Sequence, residues 1–174
     1  MARTSVKSRE KARSVDDSKV TMTEIVLPQH TNALGTVFGG TVMSWIDVAA
    51  SVAAQRHAGS ICVTASIDEL HFLKGVKQGE IVTIEANLTC VNNTSCEVMV
   101  VVSAENPIKR TKFYTTKALL TFVSLDSKGV PTPMPPLITE GAKQKTLEKQ
   151  AKIRRDHRKK LKAALLKESK ELLS

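Results

Sequence analysis

Aromatic residues are scarce in this 174-residue chain: four Phe, one Tyr and one Trp make up 3% of it. That scarcity removes the stacking platforms on which single-strand nucleic-acid binders lay their bases. Cysteine is rarer still. Cys62, Cys90 and Cys96 are odd in number and lack a CxxC spacing, so buried, reduced thiols in the cytoplasm are expected. No stretch approaches the ~20 apolar residues of a membrane helix. The opening "MARTSVKSREKARSVDDSK" carries charge without an apolar core region and does not read as a secretory signal. The four histidines, His30, His57, His71 and His157, show neither HxH nor HExxH spacing, and no metal site is expected.

What the chain does contain is a neutral body between basic ends. The net charge is +9. Residues 1–19 hold six basic and three acidic side chains, and residues 140–174 hold twelve and five. Residues 20–139 are left with eight against nine. A nucleic-acid-binding domain usually carries its basic patch on the fold itself, so nucleic acid is not the expected partner. With 41% hydrophobic residues, the chain reads as one globular domain, 20–139, between a flexible basic N-terminal tail, 1–19, and a basic, helical C-terminal tail, 140–174.

Within the body one helix lies among strands. "KVTMTEIVL" (19–27) alternates and is β-branched, as are the runs 61–73, 80–92, 95–106 and 112–126. In the second of these, Val82, Ile84, Ala86, Leu88 and Cys90 fall on one face and Thr83, Glu85, Asn87 and Thr89 on the other. Asn92-Asn93-Thr94 predicts a hairpin, Glu105-Asn106-Pro107 the next turn, and the Pro-rich "KGVPTPMPP" an exit from the sheet. The Ala-rich segment from Thr41 to about His57, stopped at Ala58-Gly59, predicts the helix. The class is therefore α+β, an antiparallel sheet wrapped around one long helix. A helix apolar on nearly all sides must be covered nearly all round, so a second copy is expected to close the structure.

One acidic residue, Asp47, interrupts this helix. Ser44, Asp47, Ser51 and Gln55 share a face, a narrow polar stripe between apolar flanks. Ser44 and Ser51 can satisfy such a carboxylate structurally. It can also serve as a base, because Gly40 shares its face about 10 Å away. The helix start there offers unpaired N–H groups that can polarise a carbonyl. "GTVFGGT" lacks the Lys-Ser/Thr of a phosphate loop, and "MSWID" is no nucleophile elbow. Water activated by Asp47 is the economical mechanism.

The segments "TNALGTVFGGTVMSWIDVAASVAAQRHAG", "CVTASIDELHFLKGVKQGEIV", "VNNTSCEVMV" and "ALLTFVSLD" together resemble the hotdog-fold acyl-CoA thioesterases, over residues 20–140. The likeness is to the short bacterial acyl-CoA hydrolases and the cytosolic vertebrate ones. It implies a hotdog fold, an obligate dimer that often forms a trimer of dimers, and hydrolysis of fatty acyl-CoA to acid and coenzyme A, with no cofactor beyond the substrate. It further implies Asp47 as base or nucleophile, Asn32 of a partner subunit as the group orienting water, and the turn at Gly39 and Gly40 as the carbonyl-polarising donor. Ala65, Ser66, Ile67, Thr94, Ser95 and Cys96 match segments that line the coenzyme groove. Cys96 departs from the usual larger residue.

Coenzyme A carries roughly four negative charges. Lys74, Lys77, Lys109, Arg110 and Lys112 are the body's candidate cations, and the resemblance adds Arg154 and Arg155 of the tail. The tail also fits a solvated basic helix or a nonspecific RNA contact. A non-catalytic acyl-CoA sensor or basic-tailed adaptor is the competing function. Acyl-CoA-sensing hotdogs that regulate transcription place a DNA-binding unit in front, which nineteen residues are not expected to build.

Overall fold

The computed structural model describes residues 11–172, apart from the side chains of Glu69 and 167–172. The described chain forms two units, one ending at Ile138 and one beginning at Thr139. The first unit carries the site. Its strands are β1 (Arg13–Ser14), β2 (Val20–Ile25), β3 (Ile61–Phe72), β4 (Ile81–Val91), β5 (Ser95–Asn106), β6 (Thr111–Leu125) and β7 (Leu137–Ile138), with helix α1 spanning Gly39–Ala58. Strands β2 to β6 make one antiparallel sheet in the order β2-β4-β5-β6-β3, so β2 and β3 are its edges.

Helix α1 lies in the concave face of this sheet. Its core-facing side is Val42, Ile46, Ala49, Ala50, Ala53 and Ala54, all buried. Alanine has no side-chain entropy to lose and lets a helix approach a sheet closely. The opposing layer is β-branched, including Val82 and Ile84 of β4 and Val98, Val100 and Val102 of β5, with Leu120 and Phe122 of β6. Burial alternates along β4 as expected up to Leu88; a bulge before Cys90 then leaves Thr89 as buried as its neighbours. The extra residue breaks the period of two. The Thr89 hydroxyl is satisfied there, donating to Glu97 Oε1 at 2.6 Å.

The other side of α1 is open. Met43 and Val48 on the helix and Ile61, Val63 and Ile67 on the edge strand β3 all present apolar surface.

Residues 11–19 depart from the expectation of a tail, while residues 1–10 lie outside the described residues. Strand β1 pairs in parallel with β7. Val15 and Ser18 are buried. The Arg13 guanidinium donates to the carbonyls of Arg56 and His57, at 2.7 and 2.8 Å. Those carbonyls belong to the last turn of α1, which lacks intrahelical donors and carries the negative end of the helix dipole, so a cation docks there. The Pro-rich exit also folds back: Thr132 N–H donates to Ser124 O, Met134 N–H to Asn93 O, and His57 Nε2 lies 2.9 Å from Pro135 O. Burial holds the His57 imidazole below its ordinary pKa.

The second unit is helix α2, Gly141–Leu172. The Thr139 hydroxyl donates to Glu148 Oε2, and Glu148 pairs with Lys152 one turn on. Leu161 and Leu165 lie on it with exposed side chains.

Candidate active site

The site is built where the loop 30–38 meets the start of α1. Asn32 organises that loop: its Oδ1 accepts from the N–H of Leu34 at 2.9 Å, the N–H of Thr36 at 3.3 Å and the Thr36 hydroxyl at 3.2 Å. Three donors converging on one atom identify it as the carboxamide oxygen. The Nδ2 group makes no hydrogen bond among the described residues and is left to donate outward. Gly35 closes the turn at φ 70°, a left-handed conformation in which a Cβ is strained. His30 packs by its ring edge against Trp45, with 5.1 Å between centroids, and its Nδ1 accepts from Leu27 N–H. It is a packing residue.

Helix α1 begins at Gly39 without a side-chain cap from Phe38. The N–H groups of Thr41 and Val42 both turn back to Phe38 O, at 3.0 and 3.2 Å. Those of Gly39 and Gly40 have no intrahelical acceptor at this position and sit at the positive end of the dipole. A Cβ on Gly40 would meet Phe38 Cε1 at 2.5 Å, so the ring lies directly over this backbone.

Asp47 lies two turns into the helix, on the azimuth of Gly40. It is half-buried. The serines offered by spacing are not its partners: Ser44 is exposed, and Ser51 accepts from Gln55 Nε2 at 3.0 Å. Asp47 Oδ1 instead accepts from the Thr64 hydroxyl of β3 at 2.6 Å. This bond bridges helix and edge strand and fixes the carboxylate's orientation, leaving Oδ2 to take a proton. Thr64 was missed in the sequence. The available signal was its parity with Cys62 on β3, which puts a hydroxyl on the strand face that meets α1.

The structure separates the other expected residues. Ala65 falls in a bulge between Thr64 and Ser66. The Ser66 hydroxyl is taken by Asp68 Oδ1 at 2.8 Å, and Ile67 is exposed. Thr94 and Ser95 form the β4–β5 hairpin, held by Asn92 N–H to Ser95 O at 2.7 Å. Cys96 needs correcting as a groove-lining side chain: it has no exposed surface and belongs to the core under α1. Burial pushes its thiol well above the ordinary range. Inward is where an apolar small residue of β5 must point, given its alternation with Val98 and Val100. Lys74 follows β3, its ammonium 4.0 Å from the Phe113 ring centroid. Arg154 and Arg155 lie on α2, in the second unit.

This arrangement, one long helix held in an antiparallel sheet with an acid on its open side, is that of the hotdog-fold thioesterases. The profile of the Thioesterase superfamily matches residues 34–110. An uncharacterized acyl-CoA thioester hydrolase of Bacillus subtilis is 40% identical over 147 residues, 84% of this chain and 86% of that protein. A crystal structure of a hexameric acyl-CoA thioesterase superposes with a TM-score of 0.85 at 37% identity, covering 88% of this chain and 98% of that one. An acyl-CoA hydrolase from Staphylococcus aureus, solved with butyryl coenzyme A, coenzyme A and its disulfide, gives 0.84 at 32% identity, covering 94% and 99%. Variants of that enzyme with one asparagine, one aspartate or one threonine changed to alanine have also been solved. The chain belongs to the acyl-CoA thioester hydrolases of the thioesterase superfamily.

Proposed function

We propose that this protein hydrolyses fatty acyl-CoA to free acid and coenzyme A, using water activated by Asp47. The observation that carries the reading is the half-buried Asp47 carboxylate, aimed by the 2.6 Å bond from Thr64. Asp47 Oδ2 removes a proton from water as its oxygen attacks the thioester carbon. The Gly40 N–H stabilises the oxyanion, and the thiolate of coenzyme A leaves and takes up the proton that Asp47 removed from water, which restores the carboxylate. The Nδ2 group of Asn32 from a neighbouring copy holds the water. In the S. aureus hydrolase the altered asparagine, aspartate and threonine are spaced as Asn32, Asp47 and Thr64 are here, the last two 17 positions apart in both chains. The reaction needs no cofactor beyond the substrate.

A neighbouring copy is required because the apolar strip of Met43, Val48, Ile61 and Val63 borders the unpaired edge of β3. Copies pair there into dimers, and three dimers make a hexamer, the number of copies in the hexameric relative. Lys74, Arg154 and Arg155 serve the phosphates of coenzyme A, and the three free buried thiols suit a reducing cytoplasm.

Thiol release from acyl-CoAs tests the reading. Asp47→Asn keeps the shape and removes the base, so kcat falls ~10²–10⁴-fold, the range for a positioned base. Mixed oligomers of Asn32→Ala and Asp47→Ala chains recover part of the lost activity, because some interfaces then hold one intact copy of each residue. Wild-type turnover by Asp47→Asn would sink the mechanism.

A further inference from the structure

Helix α2 runs from Gly141 to Leu172, and along 159–166 every side chain is exposed. Leu161, Leu165 and Leu166 are among them, at 61%, 53% and 55% exposure. Residues 158–166, "RKKLKAALL", hold four basic side chains and no acidic one. Helical spacing interleaves the two kinds. Leu161 and Leu165 form one i,i+4 row, and Arg158, Lys162 and Leu166 form the row beside it. Between the rows lies a shallow groove of about 310 Å³, lined by those five residues.

Most helical stability in proteins comes from packing an apolar face, so a bare stretch with leucines on its surface calls for a cover. Three occupants differ in chemistry. A second α2 would bury the leucines but set Arg158 and Lys162 against their like, with no acid in 158–166 to offset them. An RNA backbone would neutralise the cations and leave the leucines in water. An anionic bilayer answers both features, its acyl chains taking the leucines and its phosphates the lysines.

We propose that residues 158–166 of α2 dock on an anionic membrane surface, with the helix lying in the plane of the headgroups. Leu161 and Leu165 enter the acyl boundary. The aliphatic stem of Lys162 lies along the same apolar layer while its ammonium reaches back to the phosphates. Lys159 and Lys160, farther round the helix, add to the attraction. No helix among the described residues is long and apolar enough to cross a bilayer, so this contact is peripheral. It does not depend on the hydrolase reading.

Co-sedimentation of the full chain with two kinds of vesicle reads the contact directly: phosphatidylglycerol and phosphatidylcholine in equal parts, and phosphatidylcholine alone. The chain binds the anionic vesicles and not the neutral ones, and binding falls as added salt screens the surface. Lys159→Gln/Lys160→Gln weakens it about 25-fold, since each cation near such a surface contributes about fivefold. Leu161→Ser/Leu165→Ser, at exposed positions and with the charge unchanged, weakens it about tenfold or more while light scattering gives the wild-type mass. The lysine variant tests the same surface without touching the leucines. Equal binding to neutral vesicles, or none to either kind, overturns the inference. So does a leucine variant that holds anionic vesicles as tightly as wild type; retention of polyuridylate by both proteins then names RNA as the occupant. A drop in mass of the leucine variant overturns it as well, by making a second copy the cover.

Discussion

Replacing Thr64 by valine keeps the β-branched shape on β3 and deletes only the hydroxyl that donates to Asp47. The deleted bond is short, 2.6 Å, and ends on a carboxylate. Hydrogen bonds to charged groups contribute ~1.5–3 kcal/mol. Thr64 is exposed in the protomer, so water replaces part of that and ~1–2 kcal/mol is the appropriate share. At 1.36 kcal/mol per factor of ten, kcat for acyl-CoA should fall about five- to thirty-fold. The carboxylate itself survives, so the loss stays well short of that in Asp47→Asn. Thr64 does not bind the nucleotide, hence KM should move less than twofold, and Thr64→Ser should recover most of kcat. Thiol release at saturating and limiting substrate separates these terms. A melting temperature within a few degrees of wild type, as an exposed strand position implies, excludes unfolding as the cause. Unchanged kcat in Thr64→Val would refute the idea that this bond aims the base.

Gly40→Ala brings a methyl to 2.5 Å from Phe38 Cε1, so the ring must swing away. Helix propensity offsets much of the strain, and the expected result is near-normal stability with kcat about tenfold lower, because the donor remains but is displaced. His57 is held neutral by burial, with Arg13 and Asp17 as the charged groups facing it. Its folded pKa lies below its unfolded value of 6.5, so the unfolded chain binds the extra proton and stability is lost as pH falls below about 6.5. Chemical denaturation between pH 8 and 5 should show this slope, and His57→Gln should flatten it. Arg154→Ala/Arg155→Ala should raise KM several-fold with kcat nearly unchanged, since phosphates remote from the thioester are bound alike in ground and transition states. That effect should shrink with salt and vanish for an acyl-pantetheine lacking the nucleotide.

The elements of this protein are legible in its linear pattern because their causes are local. Alternation of Val82, Ile84, Ala86 and Leu88 announces a sheet with one buried face, and an Ala-rich run stopped by Gly59 announces α1. The helix begins two residues before the expected Thr41, since Gly39 and Gly40 occupy its first turn, where helix-breaking tendency matters least. Asp47 stood out for the same reason: a lone carboxylate among apolar residues is visible without any contact being known.

Partners distant in sequence were not legible. Ser44 and Ser51 share a helix face with Asp47, yet the hydrogen bond goes to Thr64, because only the register of β3 along α1 decides which hydroxyl comes within 2.6 Å. Cys96 reads as a site residue by position in a motif, but the pleat turns it into the core. Arg13 belongs by composition to a charged tail; it is ordered because the carbonyls ending α1 needed a donor that the helix itself cannot supply. The cavity beside the first turn of α1 is lined by Val42, Phe72, Val76 and Thr116, from four separate segments. Such a volume exists only once helix, sheet and loop have packed, so it is a property of the tertiary structure alone.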